Sequence, residues 1–217
     1  MLNLENVTFH YEDGTQVTDY CFNLNIAAGE IAGITGRSGS GKSTCLDIIT
    51  GFLSPSGGRI LINGQDIHLL PPGLRPVTVL FQNNNLFDHL TVHQNVALGI
   101  NAALRLTKDE ELAVSGALDR VGLKEFGEVP AHRLSGGEQQ RVALARSLVG
   151  NRPVLLLDEP FSALDAEVRE EMLALVRGIV SDKSLATLMV THDINDCHKI
   201  ADKHYDLKDG VLILSGA

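Results

Sequence analysis

Glu30-Ile31-Ala32-Gly33-Ile34-Thr35 runs directly into Gly36-Arg37-Ser38-Gly39-Ser40-Gly41-Lys42-Ser43, so an apolar stretch that reads as a strand meets a match to G-x-x-x-x-G-K-[ST]. The spacing predicts strand, tight loop, then a helix starting near Lys42. Gly36, Gly39 and Gly41 let the backbone turn its N–H groups inward, and the helix start aims its positive end at the same point. Such a loop is a phosphate cradle, spanning Gly36, Arg37, Ser38, Gly39, Ser40, Gly41, Lys42, Ser43 and Thr44. Lys42 adds a full positive charge, and the Ser43 hydroxyl is an oxygen ligand of the kind Mg²⁺ prefers.

Downstream, Val154-Leu155-Leu156-Leu157 is a continuous apolar run ending in Asp158-Glu159. It is suited to a central strand of a parallel sheet, and ligands of open α/β sheets bind at carboxyl ends of strands. Strand alternation is expected to point the two carboxylates apart, giving Asp158 the Mg²⁺ shell and Glu159 the attacking water as general base. Read alone, the pair is equally a solvated strand exit.

Leu134-Ser135-Gly136-Gly137-Glu138-Gln139-Gln140-Arg141 opens on an S-x-x-E capping box. The helix it starts carries Gly136 and Gly137 in its first turn, a costly choice that leaves amides uncovered and open to an anion.

These residues resemble the nucleotide-binding domain of ABC transporters, whose signature is LSGGEQQR. The resemblance covers essentially the whole chain, residues 1–217. It implies an α/β P-loop NTPase cassette with a RecA-like core, an antiparallel β lobe and a helical signature lobe. Residues 1–85 and 151–217 are expected to form the core and β lobe, and 86–150 the helical lobe. It also implies ATP and Mg²⁺ as ligands and a head-to-tail pairing with a second copy. Each ATP would lie between the Gly36 to Ser43 loop of one copy and Ser135, Gly136, Gly137 and Glu138 of the other. By the same resemblance Gln82 is the glutamine that senses Mg²⁺ and the attacking water, and His192 is the switch histidine at the γ-phosphate. Asp165, in Ser162-Ala163-Leu164-Asp165, belongs to the loop crossing the dimer interface, and Tyr11 stacks on adenine.

Each also has a purely structural reading. His192 follows Leu188-Met189-Val190 as a strand terminator would, Tyr11 suits packing of an N-terminal strand, and Asp165 suits an N-cap for the helix bearing Val168, Met172, Val176 and Ile179. Arg37, Cys45 and Glu138 stand where the family often has proline, leucine and glutamine. None of these departures removes a phosphate-binding group.

Gln82 to Gly99 matches the segment on which the family docks its integral membrane permease, and Leu86, Phe87, Leu90 and Val92 offer either an apolar groove for that partner or core of the helical lobe. The texture of Arg75 to Phe87 resembles the bacterial importer branch, and within it the thiamine importers. That implies a peripheral subunit on the cytoplasmic face of the inner membrane, with a periplasmic substrate-binding protein acting indirectly. The other reading is an ABC ATPase driving lipoprotein extraction, cell-wall signalling or DNA maintenance.

Composition agrees with these expectations. A chain of 217 residues with 44% hydrophobic content buries a substantial core, no apolar run approaches the ~18 residues of a membrane span, and no basic-then-apolar leader opens it. A net charge of -9 disfavours a nucleic-acid partner, and Cys21, Cys45 and Cys197 read as reduced thiols. Short β patterns near 1–30 and 58–66 with turns at Asp13-Gly14 and Gly57-Gly58, a second capping box at Thr107 and Glu110, and a hairpin at Lys208-Asp209-Gly210-Val211 complete the outline.

Overall fold

Ile31 to Thr35 are all buried, and the run forms a strand with a parallel neighbour on each side, as a both-faces-covered apolar segment should. The computed structural model describes residues 1–13, 16–82 and 85–215. In chain order its strands and α-helices are β1 (Leu2–Asp13), β2 (Gln16–Ile26), β3 (Ile31–Thr35), α1 (Lys42–Thr50), β4 (Gly57–Ile62), β5 (Gln65–Asp66), β6 (Val77–Leu80), α2 (Val92–Ala97), α3 (Lys108–Arg120), α4 (Gly136–Val149), β7 (Val154–Asp158), α5 (Ala166–Lys183), β8 (Ala186–Val190), α6 (Ile194–Ile200), β9 (Lys203–Lys208) and β10 (Val211–Leu214).

Two compact units share these elements. The first comprises Met1–Val77, Pro153–Glu159 and Val176–Ala217, and the second Thr78–Arg152 and Pro160–Leu175. The second unit therefore reaches beyond residues 86–150 on both sides and takes in the start of α5.

In the first unit the sheet order is β5-β4-β1-β2-β10-β9-β3-β8-β7. Its β3, β7, β8 and β9 are parallel, with Ile34 opposite Val190 and Tyr205, and Leu156 opposite Leu188. The antiparallel strands are not a separate layer: β10 pairs parallel to β2 at Val211 and Cys21 and antiparallel to β9, joining both parts into one sheet. The hairpin between β9 and β10 turns through Asp209 and Gly210 at φ 48 and 77, the left-handed pair a two-residue turn requires.

Gly57-Gly58 is not a turn. Both residues lie in β4, and a Cβ on Gly58 (φ 85) would sit 2.2 Å from the Asn6 carbonyl, so glycine is needed for a close backbone approach at the β1 bulge. Of the Asp13-Gly14 turn, Gly14 lies outside the described residues. Arg75, only 3% exposed, pins the carboxyl end of α1 by donating to the Ile48 and Ile49 carbonyls, and holds the preceding loop through the carbonyls of His68 and Leu70.

In the second unit, reciprocal capping boxes start α3 at Thr107 and α4 at Ser135. Val114, Ala117, Leu118 and Val121 are buried at the expected helical spacing. Val92 is core at 0% exposure, whereas Phe87 is 47% exposed, so the candidate groove residues divide between interior and surface. Cys21, Cys45 and Cys197 are free, and burial pushes the Cys45 and Cys197 thiols up to about 12. Among the described residues no helix is long and apolar enough to cross a membrane.

Candidate nucleotide site

The loop after β3 is set by two left-handed glycines, Gly39 at φ 78 and Gly41 at φ 103, the latter serving as N-cap of α1. No side chain caps this helix, so its first amides stay available to an anion. Gly41 must be glycine for a second reason: a Cβ there would meet the Tyr20 ring at 2.1 Å. Lys42 is 7% exposed, and its Nζ donates to the carbonyls of Gly36 at 2.8 Å and Arg37 at 3.1 Å, so the ammonium is held across the loop mouth. The Ser40 hydroxyl is buried without a partner among the described residues, while Ser43 and the Arg37, Ser38 and Gly39 stretch are exposed and Thr44 is half-buried.

At the end of β7, Asp158 is half-buried and its carboxyl is raised above the usual range. Burial is the main cause, the negative charges of Glu159 and Asp47 add to it, and Lys42 opposes it. Four ionisable groups thus share one field beside the loop. Asp47 escaped the motif reading, although it lies one helical turn after Ser43 on α1 and its own carboxyl is raised by burial. The separation of Asp158 from Glu159 does not come from strand alternation. The strand ends at Asp158, and Glu159 turns to φ 44 while its N–H donates to the Val190 carbonyl at 2.9 Å. This brings the Glu159 carboxylate to 2.9 Å from Nδ1 of His192, at the end of neighbouring β8. An acid and an imidazole 33 residues apart in sequence become a pair because β7 and β8 are neighbours.

Tyr11 is 52% exposed, and its ring meets Phe9 edge-on at 5.8 Å. Phe9 pairs with Tyr20 across β1 and β2, so one sheet face carries all of these rings, and Tyr20 reaches Gly41. A cleft of about 570 Å³ is bounded by Tyr20, loop residues 36–40 and the turn 206–210. Thr35, the residue before the loop, donates to Asp206 at 2.8 Å and lies 2.7 Å from Nε2 of His204, fixing the strand end beneath Gly36. Neither Tyr20 nor Asp206 carries a motif, and only sheet register reveals them.

The second unit holds the other candidates. Ser135 accepts from the Glu138 N–H at 3.4 Å, and Glu138 accepts from the Ser135 N–H and hydroxyl at 2.8 and 2.7 Å, which holds the Glu138 carboxyl below its usual range. Glu138 is therefore occupied by the cap. Gly136 is exposed, with nothing within 4 Å of where its Cβ would be. Gln82 donates to the Ser162 hydroxyl at 3.3 Å, linking it to the loop before α5, and Asp165 caps α5 by accepting from the Val168 N–H at 3.0 Å. Thus the structure joins the phosphate loop, Asp158, Glu159 and His192 in one unit, and Gln82, Ser135, Gly136, Gly137, Glu138 and Asp165 in the other.

The fold matches the dimeric structure of MJ0796, a bacterial ABC transporter cassette, with a TM-score of 0.82 and 34% identity, covering 98% of this chain and 96% of that one. It matches equally a post-hydrolysis dimer of the ATP-binding cassette MJ0796 bound to ADP and Pi, with a TM-score of 0.82 at the same 34% identity and 98% and 96% coverage. A family model described as ABC transporter matches residues 21–162, and the chain belongs to that family. Within it, the thiamine import ATP-binding protein ThiQ of Yersinia pseudotuberculosis serotype I (strain IP32953) is 46% identical over 217 residues, 100% of this chain and 90% of that protein.

Proposed function

We propose that this chain is the ATP-hydrolysing subunit of a bacterial importer for thiamine or its phosphates, working as a pair of copies beneath an integral membrane permease on the cytoplasmic face of the inner membrane. A periplasmic binding protein delivers the cargo. The observation that carries the ATPase part is Lys42 held across an uncapped helix start, with Asp158 in its field and the Glu159–His192 pair in the same unit. Full-length identity of 46% to a thiamine import ATP-binding protein supports the cargo.

The α1 amides and Lys42 bind the β- and γ-phosphates, and the orphaned Ser40 hydroxyl suits a phosphate acceptor. Ser43 and Asp158 are an all-oxygen donor set that fits Mg²⁺, and the raised Asp158 carboxyl is what a nearby cation would relieve. When bound, Mg²⁺ neutralises charge on the phosphate oxygens. Glu159 takes a proton from the water that attacks the γ-phosphorus as the bond to the ADP oxygen breaks. His192 holds the Glu159 carboxylate through Nδ1 and is exposed enough to offer Nε2 to a γ-phosphate oxygen. Gln82 orients the water, and Tyr11 stacks on adenine. Gly136, Gly137 and Ser135 serve the nucleotide of the partner copy, with Asp165 at the seam between copies.

The test is uptake. The chain, expressed with its cognate permease and binding protein in a bacterium lacking thiamine uptake, is expected to restore accumulation of labelled thiamine, and Glu159→Gln to abolish it. Restored ATPase without thiamine accumulation would refute the cargo assignment.

A further inference from the structure

Helices α2, α3 and α4 each begin at a threonine or serine whose side chain accepts from an amide of the first turn, so hydrogen bonds hold those helix starts in place. Helix α1 begins at Gly41 and has no such cap. A capping oxygen there would occupy an amide that an anion needs, yet an uncapped start reached through glycines is the arrangement with the most freedom to move. Something other than a hydrogen bond has to hold it.

Tyr20 is placed to do so. A Cβ on Gly41 would lie 2.8 Å from Cδ1 and 2.9 Å from Cζ of the Tyr20 ring, so ring carbons rest against the Gly41 backbone at φ 103. The contact is apolar and uses no amide. The ring is itself fixed: Tyr20 is 8% exposed, and it stacks at 5.8 Å and 22° on Phe22, which is fully buried. Its strand is held on both sides, by Phe9 of β1 and by the Gly210 turn, where the Cys21 N–H donates to the Gly210 carbonyl at 2.9 Å. At the other end of the loop a Cβ on Gly36 would meet the Ser40 Oγ at 2.7 Å and the Leu207 carbonyl at 3.0 Å. Between these ends Gly39, at φ 78, has nothing within 4 Å of where its Cβ would be. The loop is walled at its root and at its exit, and open in the middle.

We infer that Tyr20 is a positioning residue for the nucleotide, acting through Gly41, an inference that rests on the nucleotide reading above. Its ring sets the left-handed turn before Lys42 in the free chain, so the conformation that presents the α1 amides and the Lys42 ammonium is ordered on folding rather than on binding. The ring lies against the backbone and not against the reacting atoms. Without it, nucleotide binding weakens, while the chemical step, taken from a loop that the bound phosphates have already ordered, does not.

MgADP, which the chain does not hydrolyse, is the probe, titrated calorimetrically into the isolated chain well below the thermal midpoint of each variant. Tyr20→Leu keeps an apolar side chain on the strand but removes the ring, and is expected to raise the Kd about 5- to 30-fold, the equivalent of ordering one backbone residue at binding. Tyr20→Phe is expected to bind as the wild type does, because ring carbons alone touch Gly41. In the permease-assembled enzyme Tyr20→Leu should raise the KM for MgATP and leave kcat unchanged, whereas a general loss of folded protein lowers kcat. An unchanged Kd in Tyr20→Leu, a weakened Tyr20→Phe, or a fall in kcat with KM unmoved overturns the inference. If Tyr20→Leu has no cooperative melt, Tyr20→Met takes its place, and loss of folding in both overturns it as well, since the ring would then serve the sheet and not the loop. A wild-type chain that fails to bind MgADP refutes the nucleotide reading and this inference with it; a wild-type chain that binds, beside variants that bind equally well, refutes the role of Tyr20 alone.

Discussion

Adjacent glycines in the first turn of α4 separate a structural demand from a functional one. A Cβ on Gly136 meets nothing within 4 Å, whereas a Cβ on Gly137 meets the Val168 Cγ1 at 2.8 Å. Gly136→Ala therefore adds no clash and gains up to about 1 kcal/mol of helix propensity. Its thermal midpoint is expected to hold or rise by roughly 2–4 °C, the usual response of a domain this size to that energy. Gly137→Ala gains the same propensity but forces Val168 aside at a cost of about 1–3 kcal/mol, so its midpoint is expected to hold or fall. If Gly136 presents its amide to a phosphate of the partner's nucleotide, the new methyl covers it and removes a charge-assisted hydrogen bond of about 1.5–3 kcal/mol. Turnover should drop about 10- to 150-fold. The assay is phosphate release by the permease-assembled dimer beside a thermal melt of the isolated chain. Wild-type turnover from a Gly136→Ala enzyme with an unimpaired midpoint would refute the trans assignment, and a lowered midpoint would refute the open space around Gly136. Pairing a bulky acidic substitution at Gly136 with Lys42→Ala in selected heterodimers tests it again, since only a trans arrangement leaves one composite site free of both lesions.

Lys42→Ala is expected to weaken nucleotide binding and lose most ATPase activity, read by nucleotide titration and phosphate release; hydrolysis near the wild-type rate would refute the cradle. Glu159→Gln should bind MgATP yet hydrolyse it roughly 10²- to 10⁴-fold more slowly, accumulating as an ATP-bound dimer in size-exclusion chromatography. Asp158→Asn should stabilise the nucleotide-free chain near neutral pH. The folded carboxyl is raised above its ordinary value of 3.8, so the wild-type chain loses stability as pH rises through the window above that value, and the asparagine variant does not. Melts from acid to neutral pH are expected to show the two chains diverging upward through that window; parallel curves would count against it. Arg75→Met should cost about 2–4 kcal/mol in chemical denaturation, because buried carbonyls at the end of α1 lose a charged donor.

Much of this molecule is written locally. The strand-loop-helix around Lys42, the buried run Val154 to Leu157, the capping boxes at Thr107 and Ser135 and the Asp209-Gly210 turn each depend on neighbours within a few residues, so spacing alone determined them. The family was legible as a resemblance, carried by Leu134 to Arg141 together with the phosphate loop. Sheet order was not legible, because pairing of β10 with both β2 and β9 joins segments far apart in sequence. The same non-local pairing decided what Glu159 touches. Strand periodicity predicts only that it points away from Asp158, whereas the left-handed turn at φ 44 and the neighbouring β8 set its carboxylate against His192. Asp47 and Tyr20 gained their meaning from charge and register in the folded chain. A pattern of residues fixes what chemistry is available, and only packing brings separate segments close enough for their side chains to share protons and charge.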